Sequence, residues 1–133
     1  MRRIINQVLL CSLFVLCLSA CPQETGIRIE PGSTVQHLEF RVSSNRDGTQ
    51  PASVGVFRID PCETTGQGRA LWLLVGTHGS APLHRLTYGQ TPYGFSVSAS
   101  SRALVPGCYR ASTSGTGKVI FDVRADGSVQ ARP

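Results

Sequence analysis

Lysine is nearly missing from this chain. Twelve of its thirteen basic residues are arginines, and Lys118 is the exception. The arginines are scattered. No basic run forms, nor a patch interleaved with aromatics, so nucleic-acid binding is not indicated. The formal charge of +5 reads as a slight basic excess on a solvated surface, with attraction to anionic lipid headgroups as the sharper alternative. Histidines are few. His37 falls in a strand pattern, and Pro82 interrupts the run between His78 and His84. Metal ligands on one strand face need an even, unbroken spacing, and no C-x-x-C pair is present to build a zinc site. No G-x-S-x-G elbow marks a hydrolase nucleophile. Asp60, Glu63, Asp122 and Asp126 form no spaced carboxylate pair. Where a phosphate loop needs Gly and then Ser or Thr around Ser114–Lys118, the chain has Ser112 and Val119. That stretch reads as a flexible hairpin tip. The sequence calls for no cofactor and no metal, and the chain reads as a non-enzyme.

Long hydrophobic runs are also scarce. The N-terminal one, Val8 to Leu18, is eleven residues and follows Arg2 and Arg3. A spanning helix needs about 20 apolar residues. A basic start followed by roughly 7–15 apolar residues is instead a secretory signal. Simple cleavage after Ala20 would put Leu18 where a small residue is preferred.

Leu18-Ser19-Ala20-Cys21 resembles the lipobox of bacterial lipoproteins. The resemblance covers Met1 to Cys21. It implies cleavage before Cys21, a diacylglycerol on the Cys21 thiol and acylation of the new amino group. One acyl chain holds only marginally, whereas two or more anchor stably. Pro22 stands where an Asp would retain a Gram-negative lipoprotein in the inner membrane, so the expected location is the outer membrane of the cell envelope, on its periplasmic side. Residues 1–20 are then the signal, 21–26 the lipidated cysteine and a short tether, and 27–133 one domain. Losing Arg2 and Arg3 takes the formal charge from +5 to +3.

The remaining cysteines follow from that address. Cys11 and Cys17 leave with the signal, and Cys21 carries lipid. Cys62 and Cys108 remain in an oxidising compartment, which suggests one disulfide; two free thiols are the alternative. Closing a loop of 46 positions is worth about 4 kcal/mol in the chain-entropy account.

Beyond the tether the pattern is strand after strand. Ile27 and Ile29 alternate with Arg28 and Glu30, and Leu38, Phe40 and Val42 alternate with Glu39 and Arg41. Alternation at period two marks a half-buried strand. Further strands are expected at Val54–Ile59, Ala70–Gly76, Leu83–Tyr88, Phe95–Ala99, Cys108–Ser112, Val119–Val123 and Ser128–Ala131, the last after an Asp126-Gly127 turn. Ala70–Gly76 is apolar on both faces and is placed centrally, with Trp72 in the core. No amphipathic helical window or internal repeat occurs after the signal. Eight or nine short strands with Gly and Pro punctuation predict an all-β fold, a single antiparallel β-sandwich, with a small β-barrel as the alternative.

Leu104-Val105-Pro106-Gly107-Cys108-Tyr109 resembles the L-x-P-G-x-Y turn of carboxypeptidase-regulatory-like, prealbumin-type and related Ig-like modules. It implies an Ig-like sandwich whose Tyr packs near a corner, in modules that are mostly structural or binding elements. If Tyr109 packs inward, Cys108 faces outward, and a bond to Cys62 ties a loop to a sheet instead of crossing the core.

Tyr88 and Tyr93 flank the Gly-Gln-Thr-Pro turn and suggest an exposed platform for sugars or a peptide. The alternative is that both fold back on the sandwich edge. The expectation is a lipid-anchored, non-catalytic interaction or structural module, bound to the membrane at Cys21, with an envelope protein or glycan as partner. A carbohydrate- or envelope-polymer-binding module using Tyr88 and Tyr93 is the first alternative. A small hydrolase built from loop Ser and His residues is the second, since a triad assembled across loops leaves no mark in sequence.

Overall fold

The structure is a computed structural model that describes residues 26–44, 50–59, 62, 68–77, 82–115 and 117–133. The signal segment, Cys21, Asp60, Glu63 and His78 lie outside the described residues. Nine strands follow one another: β1 (Ile27–Ile29), β2 (Glu39–Val42), β3 (Ser53–Arg58), β4 (Arg69–Gly76), β5 (Arg85–Thr87), β6 (Phe95–Ala99), β7 (Gly107–Thr113), β8 (Lys118–Val123) and β9 (Val129–Ala131). No helix occurs among the described residues. The strands form two antiparallel sheets, β1-β2-β5 and β6-β4-β3-β7-β8-β9, an arrangement compatible with a β-sandwich.

The alternation read from sequence sets which face is buried. Phe40 and Val42 of β2 point inward while Glu39 and Arg41 do not. On β7, Tyr109, Ala111 and Thr113 face the core, as do Phe121 and Val123 on β8. The two sheets meet through rings. Phe40 of the small sheet packs edge-on against Phe121 of the large one, with centroids 6.2 Å apart, and Phe121 stacks on Tyr109 at 5.6 Å. Such pairs add about 0.5–1.5 kcal/mol beyond their area burial.

The doubly apolar β4 has a local cause. Val56 pairs with Trp72 and Phe57 with Ala70, so Leu71 is an extra residue in a bulge. Two residues then oppose one, and both Leu71 and Trp72 are buried. β4 also lies inside its sheet, between β6 and β3, as expected.

Cys62 is bonded to Cys108 with a Cα–Cα distance of 5.6 Å. Tyr109 is fully buried and Cys108 lies on the opposite face of β7, so the bond pins the segment after β3 onto the outside of the large sheet. The Tyr109 hydroxyl donates to the Val105 carbonyl at 2.6 Å and accepts from the Val105 N–H at 3.1 Å. This closes the Leu104–Tyr109 turn on itself, in the manner of a tyrosine corner.

One expectation needs correction. His37 is not in a strand; it lies in the bend before β2 and is exposed. Gly117 does lie in the hairpin connection between β7 and β8, where it is buried against Gly26 just ahead of β1. Thr116 lies outside the described residues.

Candidate functional site

The small sheet turns one residue type outward on all three strands. Ile27 of β1, Phe40 and Val42 of β2, and Leu86 of β5 take the inner face. Arg28, Arg41 and Arg85 therefore take the outer one. The register aligns them: Arg28 is opposite Arg41, and Arg41 is opposite Arg85. Side chains directly opposite across a ladder have Cβ atoms about 4.5–5.5 Å apart, and like charges there repel.

Two carboxylates on the next rung offset that repulsion. Glu30 Oε1 accepts from Arg41 Nε at 2.5 Å, and Glu39 Oε1 lies 3.2 Å from Arg85 Nε. His37 Nε2 lies 3.4 Å from Glu39 Oε2. The acids are the more buried partners: Glu30 and Glu39 side chains are 18% and 21% exposed, against 47% for Arg41 and 64% for Arg85. The carboxylates brace the arginine stems from one side while the guanidinium groups reach toward water.

The other side of the arginine rung is a cleft of about 720 Å³. Arg28, Arg41, Arg85, His84 and Ser43 line it together with the apolar Ile27 and Val42, and among the described residues no carboxylate does. Its volume lies in the range of small-molecule sites, roughly 300–1,000 Å³. Its end is pinned by a reciprocal contact: the Gly26 N–H donates to Ser43 Oγ at 2.8 Å, and Ser43 Oγ donates to the Gly26 carbonyl at 3.1 Å. The arrangement suits an anion. Planar guanidinium groups bind carboxylate and phosphate oxygens through paired N–H donors.

Tyr88 and Tyr93 do not share an exposed platform. The Tyr88 ring sits edge-on against buried Trp72, with centroids 5.1 Å apart. Its hydroxyl donates to the Arg102 carbonyl at 2.6 Å and accepts from the Arg102 N–H at 3.3 Å. Burial pushes the Tyr88 phenol above its ordinary pKa, and the hydrogen bond from the Arg102 backbone pulls it back in part. Tyr93 is 85% exposed and is the one of the pair open to a ligand.

The donor atoms of Cys62, Cys108 and Asp122 lie within 4.8 Å of one another. They are already committed. The sulfurs bond each other, and the Asp122 carboxylate accepts from Arg132 Nε at 2.7 Å and from its terminal nitrogen at 3.0 Å. That pairing holds Asp122 below the usual carboxylate range and raises the pKa of Arg132.

The sequence alone does not align the three arginines. A local signal is present, since Ile27-Arg28-Ile29 and Phe40-Arg41-Val42 each set an arginine between inward apolar residues. The pairing that aligns the three arginines is long-range. No protein-family model matches the chain, and neither do curated proteins or solved structures.

Proposed function

We propose that this chain is a lipid-anchored, non-catalytic binding module of the bacterial cell envelope. Cys21 carries the anchor, and the working face is the outer side of the small sheet. One observation carries the reading. The arginine-lined cleft opens at Gly26, five residues beyond Cys21 in the sequence. A five-residue tether spans at most about 18 Å, so a module held at Cys21 keeps this cleft close to the membrane. Two of the arginines there are braced by carboxylates, an arrangement that supports binding of an anion. The bond between Cys62 and Cys108 accords with an oxidising compartment.

The test is the intact mass of the protein extracted from membranes. A mass equal to Cys21–Pro133 plus acyl chains, and loss of membrane association in Cys21→Ala, support the reading. An unacylated mass, or a Cys21→Ala variant that sediments with membranes like the wild type, overturns it.

A further inference from the structure

We infer that the Arg28–Arg41–Arg85 rung binds the phosphate monoester of an anionic lipid headgroup in the membrane that holds the protein; the choice of a lipid source rests on the anchor at Cys21. Three features of the cleft point to a phosphate. Strand register aligns the three guanidinium stems in one row, so their positions are fixed by the ladder before any ligand arrives. Glu30 and Glu39 grip Arg41 and Arg85 through Nε from outside the cleft. A guanidinium has five N–H donors, and one acid partner at Nε does not exhaust them. His84 adds a side chain able to donate to an oxygen at the same wall. A phosphate monoester offers three oxygens and up to two charges, which matches a row of cations better than the two oxygens of a carboxylate.

Position selects the lipid. Gly26 forms part of the cleft wall, and the five residues back to Cys21 limit its distance from the bilayer surface to about 18 Å. An anionic leaflet attracts basic groups within about a Debye length of it, roughly 8 Å at physiological salt, and a tether of this reach lets the rung come that near. The acyl chains supply the stable attachment, and the rung sets which side of the domain faces the membrane.

The experiment uses the acylated full-length mature protein in micelles of a nonionic detergent. The Nε–H resonances of the arginines are followed by NMR as phosphatidic acid, phosphatidylcholine or inorganic pyrophosphate is added. Phosphatidic acid should shift Arg28, Arg41 and Arg85 saturably, and phosphatidylcholine should not. Arg28→Gln and Arg85→Gln should each weaken the apparent affinity about tenfold, the loss of one charge-assisted pair. Arg69→Gln, at the start of β4 and outside the cleft, removes the same charge and should leave the affinity within about twofold, as expected for a site that acts through contact and not net charge. Backbone amide spectra establish that each variant is folded, and two independent rung variants guard against the loss of one.

Shifts with pyrophosphate but none with phosphatidic acid overturn the lipid assignment in favour of a soluble phosphate compound. No shift with either probe, or equal weakening by Arg69→Gln, overturns the site altogether. A failed anchor is seen separately, in the mass of Cys21, while a failed cleft is seen in the arginine resonances of a protein whose Cys21 is acylated.

Discussion

Gly26 and Gly117 meet backbone to backbone where the small sheet joins the large one. A Cβ on Gly117 would stand 2.9 Å from the Gly26 Cα and 2.5 Å from Thr113 Oγ1. The Gly117 carbonyl also accepts from the Thr113 N–H at 2.9 Å, so the hairpin between β7 and β8 cannot simply move away. This contact seats the start of β1, and with it the cleft wall, on the larger sheet.

Gly117→Ala should therefore destabilise the fold by about 1–3 kcal/mol, the usual cost of overpacking a filled site. For a domain of about 100 residues that is a drop in Tm of roughly 4–8 °C per kcal/mol. Thermal unfolding followed by circular dichroism measures it. A variant that melts with the wild type would show that Gly26 can yield without cost.

Tyr109→Phe isolates a hydroxyl from its ring. The ring keeps its stack on Phe121, but the Val105 N–H and carbonyl lose their partner. Leaving such groups unsatisfied costs about 1–3 kcal/mol. Tyr88→Phe removes a similar pair from Arg102, whose backbone is solvent-exposed and can turn to water. Its effect should be the smaller of the two. Denaturant midpoints of both variants, measured side by side, decide the order.

Strands were legible in this chain because each sheet leaves one face wet, which writes period two into the sequence. Phe95–Ala99 matches the expected bounds, and most other strands differ by one residue at an end. Leu83–Tyr88 shrinks to Arg85–Thr87: Leu83 and His84 precede the strand and Tyr88 begins the turn that follows it. What lay hidden depends on pairing. Arg28, Arg41 and Arg85 look scattered, being 13 and then 44 positions apart, until antiparallel register puts them on one rung. For Tyr88 the sequence leaves an exposed platform and a ring folded back on the sandwich edge both open, because the two partners that hold it back, Trp72 and Arg102, come from other parts of the chain. The outward placement of the disulfide was legible, since Cys108 and Tyr109 are neighbours on one strand and must point opposite ways.

Reducing the Cys62–Cys108 bond should lower stability by about 2–4 kcal/mol without dismantling the core. The bond lies on the outer face of β7, whereas Tyr109, Phe121 and Phe40 pack on the inner side. The expected result is a lower urea midpoint for the Cys62→Ser/Cys108→Ser variant with a native-like near-ultraviolet spectrum. Loss of that spectrum at neutral pH would mean that the bond holds the core together.

Acid should release the pairing at the end of the chain. Arg132 holds the Asp122 carboxyl below its ordinary value, so the folded state binds this proton less readily than the unfolded chain. A group depressed on folding stabilises the native state above its unfolded pKa, about 3.9 for an aspartate. That contribution is lost as pH falls through the lower, folded value. In Arg132→Gln the hydrogen bonds and the nearby charge both vanish, and the Asp122 titration should move up toward the ordinary value. A carboxylate-detected NMR titration of both proteins reads the shift directly. Their melting temperatures at neutral pH should differ little, because both groups face water and exposed ion pairs contribute weakly. An Asp122 midpoint unchanged by Arg132→Gln would mean that the pair does not persist in solution.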